Sequence, residues 1–420
     1  MILAVADSLG AGVPVRELAL VLLVACVVTY LTTGPVRTFV VRYGPLAAPR
    51  ERDVHRVPTP RLGGVAMLLG CMAAVLTASQ LPALNRGFPP VTPDMLAVVV
   101  AALVIAAVGV LDDLYDISWV LKLGGQVVGA VVMSLMGVSW YLLYLPVGDG
   151  TTLVLDELQS TVITAVITVA VINAMNFVDG LDGLAAGLGA IAGGTILVYS
   201  LTILHDQGGT VSAYPPAMIS AVLVGVCVGF LPHNFAPARI FMGDSGSMLI
   251  GLLLSAACVS TSGRINMSLF GPADAFALLS PLFVVAAALF IPMLDLLLAV
   301  VRRVSAGKSP FAPDKQHLHH RLLRIGHGQR QVVLILYMWV AVVAFGAVGS
   351  TVLPPDLTAV AFGVAILLAV VVTGVPLHRA RVARARTDRG GRGTGEGSPA
   401  GRGHADRVGE TTPPPARLAA

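Results

Sequence analysis

The chain has 420 residues, 56% of them hydrophobic and only 12% charged, with a mean hydropathy of +0.84 and a formal net charge of +4. A soluble domain carries about 25% charged residues, so this composition leaves too little polar surface to wet a globule and excludes a purely water-soluble fold. The net charge is modest, and its placement along the chain is more informative than its size.

A membrane-spanning helix needs about 20 mainly apolar residues. About eleven such runs follow one another, near 17–34, 62–81, 95–111, 123–140, 159–175, 183–204, 217–231, 246–262, 276–301, 332–350 and 356–377. The segment before the first run carries Asp7, Arg16 and Glu17 and lacks a basic leader, so a cleaved signal peptide is not expected. Cys26, Cys71, Cys227 and Cys258 all sit inside apolar runs without metal-ligand spacing and read as small core residues.

Orientation follows from the basic residues. Of the 27 Lys and Arg, all but Arg16, Arg86 and Arg264 fall in alternate loops or in the segment after the last run. The positive-inside rule makes that side cytoplasmic. The N-terminus is then outside and the C-terminus inside, which requires an odd number of spans. The expected fold is an all-α, polytopic membrane bundle over 1–377. Residues 378–420, rich in Arg, Gly, Pro and Thr, read as a disordered basic cytoplasmic tail. Its RGGRG at 389–393 is better explained by solvation near anionic lipid than by binding to nucleic acid.

The polar residues gather in the same loops. Asp112, Asp113 and Asp116 form DDLYD after the third run. Asn173, Asn176, Asp179 and Asp182 lie in NAMNFVDGLDG after the fifth. Asn234 and Asp244 lie in PHNFAPARIFMGDSGS before the eighth, and His317, His319 and His320 lie in PDKQHLHHRLL. Two adjacent carboxylates at the edge of the hydrocarbon repel each other, so a cation or a cationic partner is expected beside Asp112 and Asp113. Mg²⁺ takes one or two carboxylates and completes its shell with water and substrate phosphates; Asp244 offers another carboxylate from a different loop. GDSGS reads as a tight turn into a helix whose free N–H groups would favour phosphate. The histidine run has no Cys, and Arg321 and Arg324 would repel a metal. A cationic loop gripping a sugar nucleotide fits it better than zinc. Asp295, inside the ninth run, is an intramembrane acid without an assigned role. Neither a P-loop nor GxSxG occurs.

The clusters HRVPTPRLGG (55–64), DDLYD (112–116), NAMNFVDGLDGLAAG (173–187), FMGDSGS (241–247) and HLHHRLL (317–323), in this order, resemble those of the polyprenyl-phosphate N-acetylhexosamine-1-phosphate transferases, the glycosyltransferase 4 family. The likeness spans roughly 17–377. Asp116 and HLHHRLL resemble the WecA/TagO type, which moves GlcNAc-1-phosphate, more than the MraY type, which moves phospho-MurNAc-pentapeptide.

The resemblance implies transfer of an N-acetylhexosamine-1-phosphate from a UDP-sugar to undecaprenyl or decaprenyl phosphate, at the cytoplasmic face of a bacterial inner membrane, as the first membrane step of a cell-envelope polysaccharide. It implies Mg²⁺ or Mn²⁺, and a homodimer. It assigns Asp112, Asp113 and Asp116 to catalysis, and Asp244 and Asn176 to the metal. It assigns Arg56, Lys122, Asp179, Asp182, Asn234 and Phe241 to the nucleotide, with the Phe241 ring able to stack on uracil. His317, His319, His320 and Arg321 go to the sugar and diphosphate. Lys122 and Gln126 match its KxxxQ pattern. The competing reading from another class is a secondary transporter, which would place its ionisable groups at mid-membrane on broken helices.

Overall fold

The computed structural model describes residues 13–43, 46–47, 59–145, 151–206, 214–262, 282–286, 301, 304–305, 307 and 328–392. Ten long helices make up nearly all of it: α1 (Val15–Tyr43), α2 (Gly63–Gln80), α3 (Asp94–Tyr115), α4 (Trp119–Leu135), α5 (Glu157–Val178), α6 (Leu184–Asp206), α7 (Tyr214–Asn234), α8 (Gly243–Ser262), α9 (Gln329–Val352) and α10 (Pro355–Arg392). Nine of these are long and apolar enough to cross a membrane, and α4 is a shorter apolar helix. The protein is therefore a helical, multi-span membrane protein. Of the expected runs, 276–301 and its Asp295 lie almost wholly outside the described residues.

Helix boundaries follow local chemistry. α5 starts at a capping box in which Asp156 accepts from the Gln159 N–H (2.8 Å) and Gln159 returns the bond to the Asp156 N–H (3.2 Å). α4 begins at Trp119, earlier than its apolar run suggests, because the Ser118 hydroxyl caps it by accepting from the Leu121 N–H. α3 continues past its apolar run to Tyr115, which places Asp112 and Asp113 in its last turn, at the helix end where the sequence puts DDLYD. α10 continues to Arg392, beyond residue 377 where composition suggests that order ends. The stretch HRARVARAR is rich in Ala and Arg, both good helix formers. Two short antiparallel ribbons went unforeseen: β1 (Leu46–Ala47) with β2 (Thr59–Pro60), and β3 (Leu142–Leu145) with β4 (Thr151–Val154).

The bundle is arranged around α8, which is buried from Ser245 to Ser262 and packs against α3, α5 and α7. Small residues permit the close crossings that lipid-embedded helices need. Gly225 of α7 faces the Ala25 methyl and the Leu22 carbonyl of α1, Gly229 faces the Cys26 backbone, and a side chain at Gly229 would run into the Cys26 carbonyl. Contacts between helix ends place the C-terminal ends of α3, α5 and α7 together with the N-terminal ends of α2, α4, α6, α8 and α9 at one end of the bundle. This is the polar end. At the opposite end, the Glu17 carboxylate accepts from the Ala83 and Leu84 N–H groups (both 3.1 Å), fixing the 3₁₀ turn Leu84–Gly87. The chain divides into two compact units, Met1–Thr373 and Gly374–Ala420.

Candidate active site

Adjacent residues on an α-helix point about 100° apart, and this angle separates the two acids at the end of α3. Asp113 turns inward and is buried. Its carboxylate accepts from the Asp244 N–H (2.9 Å), the Ser245 N–H (3.1 Å) and the Ser245 hydroxyl (2.9 Å). It thus caps α8 from another helix and sits favourably at the positive end of the α8 dipole. The expectation of free N–H groups for phosphate at this turn is corrected here: the first of them already bind Asp113. Gly243 is required at this junction, because its φ is +70° and a Cβ there would land on the Asp113 carboxylate. Gly109, one turn earlier on α3, lets the α8 start approach just as closely, since a Cβ would meet Ser245.

Asp112 points the other way. It meets the Lys122 ammonium (3.0 Å), and the same ammonium pairs with Asp244. Lys122 lies in the first turn of α4 and Asp244 in the first turn of α8, so three helices contribute to one ion-paired centre. The expected cationic partner of the acidic pair is thus a lysine of the chain itself. Below Lys122 by one turn, Gln126 is fully buried and its carbonyl accepts from the Asn173 amide (2.6 Å), which also donates to the Val169 carbonyl (2.8 Å). One turn from Asn173, the Asn176 amide donates to the Ser247 hydroxyl (3.2 Å), tying α5 to α8.

The loops after α5 and α7 lock together beside this centre. Buried Asp182 accepts from the Ala238 N–H (2.9 Å). Buried Asn234 accepts from the Gly183 N–H (3.0 Å) and donates to the Ile240 carbonyl (3.1 Å). Tyr337 of α9 donates to the Gly183 carbonyl, and Arg330 to the Ala236 carbonyl (2.6 Å). Phe241, a partly buried residue, donates its N–H to the Pro60 carbonyl (2.8 Å) and its carbonyl accepts from the Gly63 N–H (3.0 Å). That pairing brings Arg61 to the site. Burial first, then the nearby Asp113 and Asp182 carboxylates, push the Asp179 carboxyl well above the usual carboxylate range, and Arg61 opposes the shift.

The structure therefore brings together Asp112, Asp113, Lys122, Asn176, Asp179, Asp182, Asn234, Phe241 and Asp244. Asp116 stands apart from the ion-paired centre: it ends α3 in a left-handed conformation (φ 51°), its N–H bonded to the Asp112 carbonyl, and is exposed. Arg56, His317, His319, His320 and Arg321 lie outside the described residues. Sequence reasoning missed Arg61, Ser245 and Ser247 as members of the site. Each stands inside a motif that was singled out, but only the tertiary contacts assign it a task.

Among the described residues no group of three or more His, Cys, Asp or Glu is placed to hold a metal. A Mg²⁺ site needs fewer: one or two carboxylates, with water and phosphate oxygens for the rest. The donor set fits that pattern. Asp112 and Asp244 supply hard oxygen ligands from different helices, and both reach one positively charged atom, the Lys122 nitrogen.

The family signature described as glycosyl transferase family 4 matches residues 95–262, which hold nearly all of α3 through α8 and the Asp112, Lys122 and Asp244 of the ion-paired centre. A decaprenyl-phosphate N-acetylglucosaminephosphotransferase of Mycolicibacterium smegmatis is 55% identical over 379 residues, 90% of this chain and 93% of the relative. A protein of the same name from Mycobacterium tuberculosis is 57% identical over 370 residues, 88% of this chain and 91% of the relative. An undecaprenyl-phosphate alpha-N-acetylglucosaminyl 1-phosphate transferase of Yersinia pestis is 32% identical over 362 residues, 83% of this chain and 88% of the relative. With this degree of identity along nearly the whole bundle, the chain belongs to glycosyl transferase family 4, the polyprenyl-phosphate N-acetylhexosamine-1-phosphate transferases.

Proposed function

We propose that this protein transfers GlcNAc-1-phosphate from UDP-GlcNAc to a polyprenyl phosphate, releasing UMP and leaving a polyprenyl diphosphate-linked sugar. The observation that carries this reading is the joining of Asp112, Lys122 and Asp244 at one end of a membrane bundle, in a chain 55–57% identical to proteins named for that reaction. Decaprenyl phosphate is the acceptor in those names, which favours it here.

In the reaction an oxygen of the lipid phosphate attacks the β-phosphorus of the UDP-sugar. The new P–O bond forms as the bond to the α-phosphate oxygen breaks, and UMP leaves. Several negative charges converge, so cationic groups and positioning supply most of the rate. Lys122 can offset charge on the diphosphate. Arg61 brings a second cation beside Asp113 and Asp179. Asp113 holds the start of α8, and with it the Asp244 side chain, in place. Asp182 and Asn234 brace the loop that carries Phe241, a partly exposed residue whose aromatic ring suits stacking on a base. A Mg²⁺ or Mn²⁺ ion held by Asp244, with Asn176 nearby, would supply charge neutralisation at the diphosphate. HLHHRLL, with His317, His319, His320 and Arg321, is assigned to the sugar and diphosphate, and Arg56 to the nucleotide, by the family pattern alone.

The skew of Lys and Arg supports eleven spans, an outside N-terminus and a cytoplasmic polar end, where nucleotide sugars are found. A homodimer and a role in building an envelope polysaccharide are the family's expectation. Transport has less support, since the carboxylates of the centre sit at helix ends rather than at mid-membrane. Membranes containing the protein, given polyprenyl phosphate and either radiolabelled UDP-GlcNAc or UDP-MurNAc-pentapeptide, test the reading. Label should enter the lipid fraction from UDP-GlcNAc with release of UMP. Label entering only from the muramoyl donor, or from neither, would overturn it.

A further inference from the structure

Three cations near the polar end behave differently from Lys122 or are unlike it in partner. Arg37 donates to the Arg239 carbonyl (3.0 Å) and Arg330 to the Ala236 carbonyl, so both tie loops together through neutral groups. Arg61 acts on Asp113 and Asp179 through its field. Lys122 makes ion pairs with two carboxylates of different helices, and one of them, Asp244, is the acid that the metal reading needs. A lysine suits such a place when the contact must be given up, because its compact charge rides on a flexible stem. An ammonium and a divalent cation on the same carboxylate repel each other strongly at roughly 3–4 Å.

We propose that Lys122 is a resident counter-cation, pairing Asp112 with Asp244 while no divalent ion is bound and moving onto the donor's diphosphate when a divalent ion takes Asp244. The proposal rests on the metal reading given above. No covalent bond changes; one ion pair is exchanged for another. A bare divalent ion must displace the ammonium without offering it a new anion. With a diphosphate present, both cations find partners. Divalent ion and donor therefore strengthen each other's binding, and the coupling is reciprocal.

The test is a calorimetric Mg²⁺ titration of the purified full chain in detergent, with and without UDP as the diphosphate probe. Without UDP, Lys122→Met should bind Mg²⁺ about tenfold or more tighter than the wild type, once the competing charge is removed. Lys122→Arg should stay close to the wild type, and Asp244→Asn should not bind. UDP should tighten Mg²⁺ binding to the wild type and do so far less in Lys122→Met. Equal or weaker Mg²⁺ binding by Lys122→Met, with Asp244→Asn still required, overturns the counter-cation alone. Absence of Mg²⁺ binding to the wild type even with UDP present, or binding that survives Asp244→Asn, overturns the metal reading and the proposal with it. Should Lys122→Met be unstable, its melting temperature serves instead: a larger rise on adding Mg²⁺ than the wild type shows supports the proposal, and an equal or smaller rise overturns it.

Discussion

The two ends of the bundle handle acidic side chains in opposite ways. At the end away from the site, two acids are matched to backbone donors. Glu17 binds two N–H groups of the 3₁₀ turn, and Asp156 caps α5 within a capping box. The neighbouring hydroxyls of Ser134, Ser139 and Thr161 satisfy one another. At the polar end Asp112, Asp113, Asp179, Asp182 and Asp244 crowd into one region. Asp113 and Asp182 serve backbone groups there, while Asp112 and Asp244 converge on a single lysine. The first arrangement is what stability alone calls for. The second keeps carboxylates close together against their mutual repulsion, which is a cost that folding does not require and chemistry can use.

That contrast can be broken by substitutions. Short of Asp244 itself, the largest effect is expected of Asp112→Asn, which keeps shape and removes charge: turnover should fall about 10²–10³-fold while the melting temperature in detergent stays near that of the wild type. Next comes Arg321→Ala, in the loop assigned to the donor. Loss of one charge-assisted hydrogen bond costs about 1.5–3 kcal/mol, so kcat/KM for the UDP-sugar should drop by about 10- to 150-fold with KM for the lipid little changed. Steady-state kinetics with each substrate varied would read this, and a defect towards the lipid alone would contradict the assignment. Asp113→Asn should behave differently from its neighbour. It turns an acceptor of three bonds into a group with its own N–H donors, destabilising the protein by about 1–3 kcal/mol. Gly243→Ala should show the same loss in a chemical-denaturation or melting series. The smallest effect belongs to the opposite end: Glu17→Ala should cost about 1 kcal/mol of stability and leave turnover within about twofold of the wild type.

Much of this was legible in the sequence, for identifiable reasons. Apolar runs of about 20 residues mark spans because the bilayer fixes their length, and the alternation of Arg-rich loops brought the acidic clusters to one end. What escaped was pairing across the chain. Asp112 and Asp113 are chemically identical in sequence, and helix geometry sends them apart, but their partners lie at Lys122 and at Ser245, 132 residues beyond Asp113. The start of α8 looked like a phosphate cradle because its own sequence does not disclose that Asp113 fills it. Arg61 looked like one arginine among several until Phe241 and Gly63 joined their backbones. The ribbon β3–β4 escaped because its short, half-apolar strands carry no pattern strong enough to stand out beside the helices.

The most direct test of the central claim, that the Asp112–Lys122–Asp244 centre performs sugar-phosphate transfer to lipid, is a paired assay of purified wild type and Asp244→Asn. Each is given radiolabelled UDP-GlcNAc, decaprenyl phosphate and Mg²⁺, with melting curves taken on the same samples. Wild type should produce labelled decaprenyl lipid and UMP. Asp244→Asn should melt normally and lose about 10²–10³-fold or more in turnover. Labelled lipid formed at comparable rates by a folded Asp244→Asn protein would contradict the account.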